Sequence, residues 1–212
     1  MTYVEKIIET IKNPRNAMNS IAECPQIKEA LAIVGILAIL NAIGAYIYTS
    51  RVTIVPVGFR SPLSTLQLTS TITTFVIALL GPFLVLLIGT AIVHIISKVL
   101  GGKGKFLPQM MTVVGYSMIP EIFKVILWIP LLFMIEPITI TDYFADPNIA
   151  AETYQKSTYF LINVILSAIM GVWASVIFFF GVRSVHRLTT IKSAIVAWIL
   201  YILLGNILLM NY

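Results

Sequence analysis

Residues 30–49 read ALAIVGILAILNAIGAYIYT, twenty positions without a charge. At about 1.5 Å rise per residue, a helix of that length spans about 30 Å, the thickness of a bilayer's hydrocarbon core. This stretch alone reads as a transmembrane helix. Working outward, four more apolar runs follow, at 70–97, 110–135, 158–182 and 191–210. The composition agrees: 212 residues, 58% hydrophobic, 11% charged, mean hydropathy +0.96. A soluble domain is about 45–50% apolar and about 25% charged, so this chain cannot cover a water-facing surface. Disorder is excluded as well, because it needs low hydrophobicity and high charge. The expected fold is all-α: a polytopic membrane protein with a bundle of five transmembrane helices in one membrane domain over 1–212. Residues 1–28 form its interfacial segment.

Basic residues set the orientation. The N-terminal region holds Lys6, Lys12, Arg15 and Lys28; the second inter-helix segment holds Lys98, Lys103 and Lys105; the last holds Arg183, Arg187 and Lys192. Those ten fall on one side, against Arg51, Arg60 and Lys156 on the other. The positive-inside rule then places the N-terminus in the cytoplasm and the C-terminus outside the cell membrane. The net charge of +5 is spent at lipid head groups, and no nucleic-acid partner is expected.

Before the first span, Val4, Ile7, Ile8 and Ile11 recur at helical spacing, with Glu5, Lys6, Glu9 and Lys12 elsewhere. Pro14 separates this stretch from a second apolar face of Ala17, Met18 and Ile21. Such short helices lie on the bilayer surface or pack on the protein's own inner face; both readings stand. No cationic start with an unbroken apolar core is present, so no cleavable signal peptide is expected. The lone Cys24 forms no internal disulfide. On the outer side, Val52 to Val57 is a β-branched run, and Glu136, Asp142, Asp146 and Glu152 make an acidic loop whose spacing matches no calcium site.

The stretch GGKGKFLPQMMTVVGYSMIPEIFKVILWIP, Gly101–Pro130, carries most of the unusual chemistry. Gly102, Lys103 and Lys105 form a tight basic turn suited to an anionic head group, without the spacing of a P-loop. Gly115 and Pro120 point to a helix break, since proline lacks the N–H and its ring clashes with the preceding turn. Glu121 and Lys124 share a helix face within the third apolar run, near Tyr116 and Ser117. Charges at that depth are expensive, so the four residues mark either an intramembrane polar site or an ion pair that fixes helix register. Gly81-Pro82 is a candidate bend in the second run. Asn41, Asn163 and Asn206 suit inter-helix hydrogen bonds, and Ser167, Gly171 and Ser175 form a small-residue ridge for close packing. His94 lacks any metal-binding partner in its AIVHIISK context. No nucleophile motif, catalytic residue, cofactor site or metal pair is found.

Gly101-Gly102, Gly115-Tyr116-Ser117, Pro120 and Trp128-Ile129-Pro130 resemble the Yip domain family of Rab-GTPase-interacting proteins. The front segment Asn13-Pro14-Arg15-Asn16-Ala17 resembles the family's prokaryotic branch. The resemblance implies five helices with a cytosolic N-terminus, and a non-enzymatic membrane organiser that binds lipids, itself or other membrane proteins. No DLYGP-like motif precedes the first span, which puts a Rab-type GTPase partner in doubt. The alternative is a small transporter, channel or lipid-translocating protein that uses Glu121 and Lys124.

Overall fold

The computed structural model describes residues 1–55, 63–134, 137–141 and 158–209. Two short helices come first, α1 (Tyr3–Lys12) and α2 (Pro14–Glu23), followed by α3 (Ile27–Arg51). Helix α4 (Leu63–Leu84) runs through a π-helical stretch, Val85–Gly89, into α5 (Thr90–Val99). A second π-helical stretch, Phe106–Met110, opens α6 (Met111–Ser117), and α7 (Ile119–Leu132) follows. Helices α8 (Thr158–His186) and α9 (Thr190–Leu209) complete the bundle. Strands β1 (Val52–Val55) and β2 (Ile138–Thr141) pair in parallel, Val52 opposite Ile138. This small ribbon uses the β-branched run after the first span. The expected acidic loop, apart from Pro137–Thr141, and the side chain of Asn206 lie outside the described residues.

Four segments are long and apolar enough to cross a membrane: Ile27–Arg51, Gln67–Val99, Phe106–Leu132 and Leu161–His186. Helix α9, at 20 residues, has the length of a fifth. Their outer faces are apolar and open, with Ile39, Ile72, Ile77, Ile95 and Ile169 all more than half exposed. A soluble protein could not carry so much exposed apolar surface, and lipid is its natural solvent. The protein is therefore an all-α, multi-pass membrane protein.

Local chemistry explains where the elements begin. Thr2 and Glu5 form a capping box on α1: the Glu5 amide donates to Thr2 Oγ1 at 3.3 Å, and the Thr2 amide to Glu5 Oε2 at 2.8 Å. The Asn13 side chain caps α2, whose first residue is Pro14, a position where the missing N–H costs nothing. Of the two readings of these helices, α2 takes packing on the protein: Ala17, Met18 and Ile21 are completely buried against the bundle. Helix α1 divides its apolar residues. Tyr3, Ile7 and Ile11 pack on the core, while Val4 and Ile8 stay exposed.

The two irregular spans resolve differently. In the second, Pro82 sits inside α4, and the disturbance emerges as the π-helical Val85–Gly89. A wider register is one way a membrane helix re-satisfies carbonyls that a proline frees. The Thr90 hydroxyl donates to the Leu86 carbonyl there. In the third span the helix stops at Ser117 and restarts at Ile119, so Pro120 opens α7 instead of kinking a continuous helix. The Met118 amide donates to Gly115 O at 3.2 Å, and the Ser117 hydroxyl to Val114 O at 2.7 Å.

The core is concentrated where α2, α6 and α8 meet, around Met18, Ile21, Met110, Tyr116, Phe178 and Val182. At this end α1, α2, the turn 101–105 and the turn after α8 converge; the ten basic residues of the N-terminal region and these turns belong to the same end. Close approach of α6 to α3 requires a glycine. A Cβ on Gly115 would lie 2.5 Å from Ala30 Cβ and 2.9 Å from its Cα. Gly115→Ala is expected to cost about 1–3 kcal/mol through overpacking. Gly35→Ala, where a Cβ meets nothing within 4 Å, should gain up to about 1 kcal/mol in helix propensity. Denaturation in detergent micelles reads both; equal effects would refute the contact.

Candidate functional site

The most buried charged group of the basic end is built from three elements. Glu29 lies in the first turn of α3, where the helix dipole favours a carboxylate. Lys6 of α1 reaches it with Nζ 2.8 Å from Oε2 and 3.1 Å from Oε1. The Tyr116 hydroxyl of α6 donates to Oε2 at 2.8 Å. The side chains of Lys6 and Glu29 are only 4% and 11% exposed, and Tyr116 is completely buried. Tyr3 completes the surroundings: burial first, then the Glu29 carboxylate, push its phenol above the ordinary tyrosine range, so it stays neutral. One carboxylate is thus held by an ammonium and a phenol, with the ammonium bridging both oxygens.

This cluster redistributes the polar residues of the third span. Tyr116 is drawn to Glu29 on α3, and Ser117 turns back on its own helix. Glu121 and Lys124 remain together at the start of α7, with Nζ 3.8 Å from Oε2 and side chains 15% and 7% exposed. The tyrosine and the ion pair therefore face different partners. Sequence reading missed Glu29 and Lys6 because each sits among polar residues flanking the spans. No local signal marked the pair: Lys6 stands apart from the apolar stripe of α1, and only the packing of that helix brings it to Glu29.

The turn 101–105 is shaped by contact with α8. Gly102 and Gly104 are buried, whereas Lys103 and Lys105 are exposed. A Cβ on Gly102 would lie 2.6 Å from His186 Nδ1 and 2.6 Å from Ser97 O. The Lys103 amide donates to His186 O at 3.1 Å, and Lys192 Nζ to Leu100 O at 2.7 Å, so both connections cap helix ends. The chain's two histidines meet here, with ring centroids of His94 and His186 5.0 Å apart and Phe106 edge-on to His94. His186 is 1% exposed, and among the described residues neither of its ring nitrogens has a hydrogen-bond partner. Among the described residues no group of three or more His, Cys, Asp or Glu side chains is placed to hold a metal.

Removing one member of the Glu29 cluster leaves a buried charge unpaired. Lys6→Met or Glu29→Met alone is expected to cost about 3–5 kcal/mol. The triple change Lys6→Met, Glu29→Met, Tyr116→Phe leaves no orphan and should recover most of that loss. Thermal unfolding in detergent tests this; a triple variant as weak as the sum of the singles would show that the groups act separately.

The chain spans 92% of the length of an uncharacterized protein of Methanocaldococcus jannaschii, MJ0794, and is 30% identical to it over 135 residues, 63% of its own length. No solved structure matches the chain. The model of the Yip1 domain matches residues 8–211, taking in α2, the Gly115-Tyr116 contact with α3 and the turn against α8. On that match and this architecture, the chain belongs to the Yip1 domain family.

Proposed function

We propose that the protein is a non-enzymatic membrane organiser of a prokaryotic cell membrane, binding lipids, other membrane proteins or a second copy of itself. The observation that carries this reading is where its polar groups go. Lys6, Glu29 and Tyr116 satisfy one another, Glu121 pairs with Lys124, and Ser117 and Ser175 bond to their own helices. The membrane-facing surface is largely apolar, and exposed cations gather at one end. On α8, Ile165, Ile169, Val172 and Val176 recur at helical spacing and are 43–56% exposed, beside the half-buried ridge of Ser167, Gly171 and Ser175. Such a face suits lipid chains or a partner helix. The exposed Lys103 and Lys105 at the basic end suit anionic head groups of the inner leaflet. Ten basic residues on that side against three on the other support a cytoplasmic N-terminus and an external C-terminus.

A second reading rests on Glu121 and Lys124, which lie within a membrane span next to the break at Met118. Intramembrane charges of this kind line pathways in transporters. Glu121→Gln would then abolish solute, ion or lipid flux in proteoliposomes while leaving the fold intact.

Native mass spectrometry from nanodiscs of mixed anionic and neutral phospholipid separates the two. The organiser reading expects an oligomer or partner complex enriched in anionic lipid, with enrichment lowered by Lys103→Ala plus Lys105→Ala. A lipid-poor monomer, together with flux that depends on Glu121, would replace it with the transporter reading.

A further inference from the structure

Between α2 and the last turn of α8 lies an open cleft of about 260 Å3, lined by Arg15, Asn19, Phe180, Arg183, Ser184 and Arg187. Three of the chain's five arginines meet there. We infer that this cleft is a binding site for a single phosphate ester, of the kind carried by an anionic phospholipid head group, with Arg15, Arg183 and Arg187 as its cationic wall. The inference rests on the lipid-binding reading above and assigns it a place.

Charge is the first argument. Arg183 lies in the last turn of α8, Arg187 directly follows that helix, and Arg15 comes from a different helix. Like charges gathered in one cleft repel. Among the described residues none of the three has a carboxylate at ion-pairing distance, so no ion pair occupies the cluster. The residue type is the second argument. Elsewhere this end is served by lysines, whereas the cleft uses arginine, whose planar fork grips a phosphate through two parallel N–H bonds.

Backbone conformation is a third and independent argument. Arg187 directly follows the last residue of α8 and has φ +53°, the left-handed region where helices usually place glycine. A bulky side chain occupies a position that disfavours one, as happens where the side chain has a task. Val185 and Leu188 on either side are buried, which holds the turn in place.

The rest of the lining selects the ligand. Ser184 Oγ lies 2.5 Å from Asn19 Oδ1, a bond that joins α2 to α8 across the cleft. Phe180 stands one turn further into the membrane span than Ser184 and gives an apolar wall on that side. Arginines toward water and a phenyl ring toward the bilayer suit a phosphate that continues into glycerol and acyl chains. The volume falls below the roughly 300–1,000 Å3 of pockets for drug-sized ligands, which fits a head group. The adjoining cleft shares Asn19, Ser184 and Arg187 but adds the carboxylate of Glu23, which repels a second anionic group. One phosphate is the expected load.

The full chain in nanodiscs of phosphatidylglycerol and phosphatidylcholine provides the test, read by native mass spectrometry. Calorimetric titration in detergent with short-chain phosphatidylglycerol and, separately, with inorganic phosphate gives affinities. The wild type should retain one tightly held phosphatidylglycerol. Arg15→Gln, Arg183→Gln and Arg187→Gln together should weaken it at least about tenfold, the loss expected from charge-assisted hydrogen bonds. Arg183→Lys with Arg187→Lys keeps the charge and should still lose affinity, which diffuse attraction would not. Arg187→Gly should raise Tm while lowering lipid retention, a split that misfolding cannot produce. Phosphate bound without lipid, and lost in the arginine variants, supports the phosphate site and makes its source a soluble ester. Retention unchanged in the triple variant overturns the cleft. If the lipid is instead lost only with Lys103→Ala and Lys105→Ala, the cleft falls and the lipid-binding reading stands. If the wild type retains neither lipid nor phosphate, both fall.

Discussion

The carboxylate of Glu29 holds this structure together at its basic end. It lies at the start of the first span, almost out of water, and is stable there only because Lys6 and Tyr116 converge on it. Lys6 brings α1 onto the bundle, and Tyr116 brings α6 against α3. The second contact needs the backbones to touch, which Gly115 permits beside Ala30. With Tyr116 so placed, the third span stops at Ser117 and α7 starts afresh at Ile119, with Pro120 in its first turn. One carboxylate therefore ties α1, α3 and α6 together.

The bilayer imposes the second constraint. Backbone groups within it must be satisfied by the protein, so each irregularity is answered locally. The π-helical Val85–Gly89 after Pro82 is accompanied by the Thr90 hydroxyl on the Leu86 carbonyl, and the break at Met118 by the Ser117 hydroxyl on Val114. Tyr116, Ser117, Glu121 and Lys124 of the third span are used inside the bundle. Two kinds of chemistry stand out on the outer surface, apolar faces such as the Ile165–Val176 stripe and cations gathered at one end. Lipids and partner helices address such a surface; this division underlies the organiser reading. The arginine cleft between α2 and α8 is where the two chemistries meet, since its lining joins Phe180 to three guanidinium groups.

Much of the fold is legible in residue order. Apolar runs of bilayer length read directly as spans, because the hydrocarbon thickness sets helix length. The helical spacing of Ala17, Met18 and Ile21 announces a buried face. The kinship is legible as well, through Gly115-Tyr116-Ser117 and its neighbours, in a chain whose residues 8–211 match the Yip1 domain. The candidate site was less so. Tyr116 and Ser117 stand next to Glu121 in the sequence, yet the tyrosine bonds to a residue 87 positions away. His94 and His186 share no local pattern, and Arg15 gives no sign of the arginines at the end of α8.

The sequence by itself determined the membrane, the helices and their approximate lengths, because hydrophobicity and helix rise act locally along the chain. Tertiary structure decided which charges meet. It put α2 on the protein and not merely near the bilayer, paired Lys6 with Glu29, and packed the glycine turn against His186. Those outcomes depend on distances of a few ångströms between helices far apart in the chain. No periodicity or spacing encodes them, because each is fixed by the joint packing of several helices at once.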